Sequence, residues 1–323
     1  MGKSTLLNIL IGEKVSIVSP RPQTTRNRTL GVKNLPDTQI VFIDTPGIYK
    51  PDNKLGEYLV SEAVKGLSNV DIIYFVVNAN KPIIEKTIKG GKSLKGECDT
   101  VNDSGHYGIK GTPIAFSNVL AEQGDIIKLL SRAKCKIFLV LNKIDIVQKE
   151  MLLPLIDIYN KALKFTAIIP VSALKGDGID TLLDVTIEHL VYGPKYYPDD
   201  VYTDQLERYM CQEIIREKLM KHTYEEIPQS LAGEVLEWKE KNRSSLSGRK
   251  KTLVSIAADI YVEKDSQKGI IIGKDGSKLK TASMDIRREI EEFLDAQVFL
   301  RLFVKVRKNW RKDEKVLRDL GYK

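Results

Sequence analysis

Four short, almost purely apolar runs constrain the fold of this chain more than any other feature. They are residues 39–43, 72–77, 137–141 and 167–171, and three of them run directly into a polar motif. Runs of five or six apolar residues without alternation suit parallel strands covered on both faces. Helical patterns fill the intervals over the first 190 residues. The series therefore reads β-α-β and predicts an open α/β sheet. Such sheets bind their ligands beyond the carboxyl ends of the strands, where the motifs fall.

The pattern breaks near Tyr192, where Gly193, Pro194, Pro198, Asp199 and Asp200 predict a linker over 193–203. This gives a first domain over 1–192 and a second over 204–323. The second reads as a helix over 204–221, strands near 232–238 and 253–262, a glycine-rich turn, a helix over 277–294 and a strand over 298–306. In that last strand Val298, Leu300, Leu302, Val304 and Val306 share one face, and Phe299, Arg301, Phe303, Lys305 and Arg307 the other. This is a compact α+β pattern. Residues 83–122 show scattered glycines and no periodicity. So long a structureless stretch is unusual inside an α/β domain, and it reads as an atypical insertion without function, or as sequence left by a gene-model error.

Gly2-Lys3-Ser4-Thr5, followed by an apolar helical pattern, is the second half of a phosphate loop. Backbone N–H groups at the helix start surround phosphates. Lys3 neutralises their oxygens, and the Ser4 hydroxyl binds Mg²⁺. Asp44-Thr45-Pro46-Gly47 follows a strand. The aspartate there holds Mg²⁺ through water, and the Gly47 N–H meets a γ-phosphate. In Asn142-Lys143-Ile144-Asp145 a carboxylate matches the two donors of guanine, which adenine lacks. At Ser172-Ala173-Leu174 a backbone N–H meets the guanine carbonyl. Each motif alone also fits an ordinary polar turn. Four in order, at strand ends, point to a guanine nucleotide.

With these residues in place the chain resembles the translation-factor-class GTPases, and among them the Era family. GKSTLLNILIGEKVSIVS followed by PQTTR, QIVFIDTPG, LVLNKID, PVSALKGDGID, YYPDD, EIIREKLM, GIIIGKDGSKLK and the ending LFVKVRKNWRKDEKVLRDLGYK carry the resemblance. It covers nearly everything outside 83–122. It implies a P-loop GTPase sheet followed by a type II KH domain, with GTP or GDP and Mg²⁺ as ligands. Thr24 or Thr25 is then the switch threonine that meets Mg²⁺, and Thr25 is the better candidate. Ser4, Thr25 and Asp44 form the metal set. Gly2, Lys3, Thr5, Thr45, Pro46 and Gly47 line the phosphates. Asn142, Lys143, Asp145, Ser172 and Ala173 line the base. Ile48 stands where Ras-like proteins place a water-orienting glutamine, so no general base is assigned, and slow hydrolysis is expected.

In the second part Gly273-Lys274-Asp275-Gly276 matches the GxxG loop, whose glycines let the backbone approach phosphates of single-stranded RNA. Asp275 opposes that contact, and Lys274, Lys278 and Lys280 outweigh it. An ordinary glycine turn would leave the same residues. Arg307, Lys308, Arg311 and Lys312 are further phosphate candidates, or a solvated basic face. Trp310 is expected to pack, as are Tyr196 and Tyr197 at the domain junction.

One departure stands out. Era-like chains carry a strand and a GxPNV segment ahead of GKST, where this chain has Met1. The first strand of the sheet is thus expected to be missing, with weakened GTP binding and folding for residues 1–323.

The net charge is +8, and the last 23 residues hold nine basic and three acidic side chains. That balance favours nucleic acid or anionic lipid as partner. Three cysteines without paired or ligand spacing imply a reducing compartment. The resemblance implies a monomeric GTPase acting on small-subunit rRNA and the small ribosomal subunit, in assembly and rRNA 3′-end maturation. Its compartment would be a bacterial cytoplasm, with peripheral contact to the inner membrane, or a mitochondrial or plastid matrix. Two alternatives stay open: a nucleotide-binding-defective RNA-binding module, and a peripheral membrane GTPase using its basic end.

Overall fold

The structure, a computed structural model, describes residues 1–21, 23–80, 124, 126–244 and 250–322. The predicted insertion at 83–122 lies outside the described residues. Two compact units are present: Asp71–Leu190 together with Met1, and Gly2–Val70 together with Val191–Lys323.

Helix α1 (Lys3–Ile11) starts at Gly2, whose φ of 86° is left-handed, and stops at Gly12, whose N–H bonds Asn8 O. Its buried Leu6, Leu7, Leu10 and Ile11 explain the apolar run after GKST. It lies directly on strand β1 (Thr29–Leu35): a Cβ at Gly31 would stand 2.9 Å from Ile11 Cγ1. Strand β2 (Thr38–Asp44) pairs antiparallel with β1, Thr29 opposite Asp44. This corrects the expectation of a parallel strand covered on both faces at 39–43; Ile43 is exposed. Helix α2 (Lys54–Lys65) is capped by Asn53, whose side chain accepts from the Gly56 N–H.

In the other unit β3 (Ile72–Asn78), β4 (Lys136–Asn142) and β5 (Ala167–Val171) form a parallel sheet in the order β3-β4-β5. Central β4 buries Phe138, Leu139, Val140 and Leu141 completely, which is why its sequence has no alternation. Asn78, Asn142 and Val171 lie level, so the motifs that follow β4 and β5 share one edge. Helices α3 (Leu152–Ala162) and α4 (Ile179–His189) complete the unit. Among the described residues β2 pairs only with β1, and β3 only with β4.

The second unit continues with α5 (Glu207–Lys221), α6 (Ile227–Ser230), β6 (Ala232–Ser244), β7 (Lys250–Val262), α7 (Asp265–Ile272), α8 (Ser277–Leu294), β8 (Gln297–Val306) and α9 (Glu314–Asp319). β6 and β7 pair antiparallel, β7 and β8 parallel, the arrangement expected of a type II KH domain. Ile214 and Ile215 of α5 and Ile286 and Ile290 of α8 meet Ile256 and Ile260 of β7 in one core. β8 alternates as predicted: Val298 and Val304 are buried, Phe299 and Phe303 exposed.

The basic C-terminal residues do not form a free tail. Trp310, Val316, Leu317, Leu320 and Tyr322 are buried in one cluster with Leu55 and Leu59 of α2. Trp310 packs as expected, and its indole N–H donates to Ser230 O at 3.0 Å. The linker lies along the hairpin: Gln39 Nε2 donates to Tyr197 O, Asn34 Nδ2 to Asp199 O, and the Val32 N–H to Tyr202 O. Backbone contacts hold it, so Tyr196 stays 79% exposed rather than packing. No helix among the described residues is long and apolar enough to cross a membrane.

Candidate functional site

Ser4, Thr25 and Asp44 are 21 and 19 residues apart in sequence, yet their side chains meet. Ser4 Oγ donates to Asp44 Oδ2 at 2.6 Å, and Thr25 Oγ1 donates to the same oxygen at 3.0 Å. The two hydroxyl oxygens are 2.9 Å apart. All three residues are buried. The first turn of α1 presents Ser4, and the end of β2 presents Asp44. The extended stretch before β1 presents Thr25. The predicted metal set is thus one cluster of hard oxygens. Among the described residues no cation pairs with Asp44. A buried carboxylate with hydroxyls around it and no counter-charge fits Mg²⁺, which favours oxygen ligands and keeps several waters.

Lys3 stands beside this cluster, its Nζ 3.9 Å from where a Cβ of Gly47 would be. The ammonium therefore faces the Asp44–Gly47 turn. Gly2 opens α1 without a side-chain cap, leaving its first N–H groups for an anion. Thr5 lies half-buried one residue beyond Ser4, and Pro46 is buried. Thr45 approaches Gly66, where a side chain would collide with its methyl group. Thr24 turns away: its hydroxyl donates to Arg21 O at 2.9 Å, and its carbonyl accepts from Arg216. The geometry thus places Thr25, and not Thr24, with the Ser4 and Asp44 oxygens.

Sequence reading missed three residues here. Ser16 Oγ adds a third hydroxyl to Asp44 Oδ2 at 3.2 Å. Asn8 holds that serine, accepting from the N–H groups of Val15 and Ser16 and donating to Ser16 O. Arg216 holds Thr24 O. Burial works against its charge, but paired Glu213 outweighs this and keeps its pKa well above the usual arginine value. All three fall inside the segments GKSTLLNILIGEKVSIVS and EIIREKLM but at positions with no assigned chemistry; only the folded chain gives them their partners.

The residues predicted to read the base lie in the other unit. Asn142, at the end of β4, ties segments together: Oδ1 accepts from the Lys143 and Ala173 N–H groups, and Nδ2 donates to Met1 O. Lys143 takes a left-handed φ of 70° and turns the chain toward Asp145. Ser172 Oγ donates to Asp145 Oδ1 at 2.6 Å and fixes the carboxylate. Ser172 and Ala173 are buried, Asp145 only partly. A held carboxylate of this kind presents two oxygens to paired N–H donors.

At the GxxG loop, Gly273 and Gly276 have φ of 73° and 74°, and Asp275 has 52°. A Cβ at Gly273 would stand 2.7 Å from Lys278 Cγ; at Gly276 it would meet open space. Helix α8 follows with no side-chain cap and no acidic residue in its first turn. Lys274, Lys278 and Lys280 are exposed and, among the described residues, unpaired. Uncapped N–H groups flanked by free lysines form an anion-binding surface. Of the four later candidates, Lys308 and Lys312 share that freedom among the described residues. Arg307 pairs with Asp319 and covers the Tyr261 ring, and Arg311 places two nitrogens on Glu263.

Comparisons with known proteins agree with this layout. The 50S ribosome-binding GTPase family matches residues 1–101, the elongation factor Tu GTP-binding domain 107–191, and the KH domain 226–311. GTPase Era of Geotalea uraniireducens (strain Rf4) is 43% identical over 323 residues, covering all of this chain and 94% of that protein. GTPase Era of Ruminiclostridium cellulolyticum is 41% identical with the same coverage. A crystal structure of Era with MgGDPNP and nucleotides 1506–1542 of 16S ribosomal RNA aligns with a TM-score of 0.82 at 35% identity, over 99% of this chain and 94% of that one. An Aquifex aeolicus Era variant bound to GDP and AlF4⁻ aligns equally well, with a TM-score of 0.82 at 35% identity. In sequence, in fold and in the motifs at its strand ends, the chain belongs to the Era family of GTPases.

Proposed function

We propose that this GTPase uses its nucleotide cycle to hold and release single-stranded RNA at the 3′ end of small-subunit rRNA during assembly of the small ribosomal subunit. The observation that carries the reading is that one compact unit contains both the Ser4–Thr25–Asp44 cluster and the GxxG loop. The Era structure bound to 16S rRNA and MgGDPNP supports this choice of RNA.

In this reading Ser4, Thr25 and Asp44 would hold Mg²⁺, the aspartate through water, and the ion when bound would neutralise charge on the transferred phosphoryl group. Lys3 and the N–H groups opening α1 bind the phosphates, and the Gly47 N–H meets the γ-phosphate. Asp145 accepts from the guanine N1–H and amino group, and the Ala173 region closes the base pocket. Ile48 carries no group that can orient water, so backbone and switch position it. Hydrolysis is accordingly slow, and loss of the γ-phosphate frees the Thr25 segment. The protein acts as a monomer where ribosomes are assembled, in a bacterial cytoplasm or an organelle matrix.

The test compares this chain with a version carrying a strand and a GxPNV segment ahead of Gly2. Fluorescent GTP-analogue binding and binding of a single-stranded rRNA 3′-end oligonucleotide are measured on both. Gly273→Asp with Gly276→Asp should abolish RNA binding and leave nucleotide binding unchanged. RNA binding that survives the double change, or nucleotide binding by neither version, overturns the proposal.

A further inference from the structure

Arg26 follows the switch threonine, and its side chain points the opposite way. Thr25 reaches Asp44, while the Arg26 guanidinium enters the KH part of the same unit. There Nη1 donates to Leu231 O at 2.6 Å and to Tyr322 Oη at 3.0 Å, and Nη2 donates to Gln229 O at 2.9 Å. The charge lies 5.6 Å from the centre of the Trp310 ring and 5.9 Å from that of Tyr322. Arg26 is 2% exposed, its Nε has no partner, and among the described residues no carboxylate pairs with it.

A buried guanidinium without a counter-ion is a poor choice for packing alone, since an apolar side chain of similar size would fill the space without the desolvation cost. What an arginine adds is a planar fork that reaches several acceptors at once. Here those acceptors come from α6 and the residue joining it to β6, and from the segment after α9. The neighbours reinforce the same connection. Arg216 of α5 bonds Thr24 O, and Asn27 joins Tyr209 of α5 to Tyr58 of α2. Thr25 therefore lies between two residues that are both tied to the RNA-binding part.

We infer that Arg26 is a positioning residue: its anchorage in the KH part holds the Thr25 hydroxyl at the metal cluster, so the RNA-binding part sets how readily the Mg²⁺–GTP state forms. This rests on the GTPase reading above. GDP lacks the γ-phosphate that orders a switch threonine, so the anchor acts on the GTP state and not on the GDP state.

The experiment uses whichever of the two chain versions binds nucleotide. Arg26→Lys removes the fork but keeps the charge, Arg26→Met keeps the bulk, and Tyr322→Phe removes one acceptor. The half-saturating Mg²⁺ concentration for a fluorescent GTP analogue is measured, together with the affinity for a GDP analogue. Both Arg26 variants should raise the Mg²⁺ requirement at least threefold and leave GDP affinity within twofold. Tyr322→Phe should shift it the same way by less, and carries the test if the Arg26 variants do not fold. Equal losses for the GTP and GDP analogues, or no Mg²⁺ shift in any folded variant, overturn the inference. Failure of the unsubstituted chain to bind either nucleotide overturns the GTPase reading instead, and the inference with it.

Discussion

Replacing each glycine of the GxxG loop by alanine separates two costs that the sequence writes identically. Gly273 has φ 73° and ψ 176°, a region open essentially to glycine alone. Its new methyl would stand 2.7 Å and 2.8 Å from Lys278 Cγ and Cβ, and 3.1 Å from the Lys278 backbone nitrogen. Cβ and N cannot swing away as a side-chain tip can. Backbone strain of about 1–3 kcal/mol plus overpacking of about 1 kcal/mol gives roughly 2–4 kcal/mol. Gly276 has φ 74° and ψ 7° with nothing within 4 Å, so only the left-handed penalty of about 1 kcal/mol remains. The chain's two tryptophans, Trp238 and Trp310, both lie in this unit, so their fluorescence follows its unfolding in urea. With a slope of about 2 kcal/mol per molar urea, Gly273→Ala should lower the midpoint by about 1–2 M and Gly276→Ala by about 0.5 M. Equal shifts, or a larger one for Gly276→Ala, would refute the geometry.

Asp145→Asn should lower GTP affinity by about a hundredfold or more, because two charge-assisted bonds of about 1.5–3 kcal/mol each are lost. It should also improve xanthosine triphosphate binding, since the amide donates to the 2-oxo group. Competition against a fluorescent GTP analogue checks both. A third prediction concerns Glu289, which accepts from Lys14 and Lys218. Burial pushes its carboxyl up, but the two hydrogen-bonded lysines outweigh this and hold its pKa below the usual 4.5. A depressed folded-state pKa contributes stability above about pH 4.5 that is lost as pH falls through the lower folded value. Glu289→Gln should therefore flatten the fall of the urea midpoint below pH 4.5, and an unchanged slope would refute the coupling.

The parallel strands were legible because burial on both faces leaves only apolar residues, as in fully buried β4. The β8 alternation and the bounds of α8 were legible for the related reason that one face is wet. Strand β1 was not: Gly31, Lys33 and Asn34 interrupt its apolar residues. Its Gly31 serves the close approach of α1, which no local pattern announces. The same difficulty hid the antiparallel pairing of β2, since apolar content reports coverage and not strand direction. Ser4, Asp44 and Asp145 could be singled out in advance as candidates because the chemistry their motifs suggest is local. Ser16, Asn8, Arg26 and Arg216 could not, because their roles consist of partners far along the chain. Arg311 shows the converse. Its basic character marked it for RNA, but the fold engages it with Glu263.

The bond between Arg26 and Tyr322 joins residues 296 positions apart. At about 5–20 residues per second, a ribosome takes roughly 15–60 s to travel from one to the other. During that interval the segment carrying Thr25 exists without the acceptors that enclose its arginine, and the apolar side of α2 lacks Leu317 and Leu320. This segment, made well before the residues that enclose it, is therefore among the last to reach its native surroundings. Chaperones have their longest access to this segment, and nucleotide itself becomes a candidate folding ligand for it.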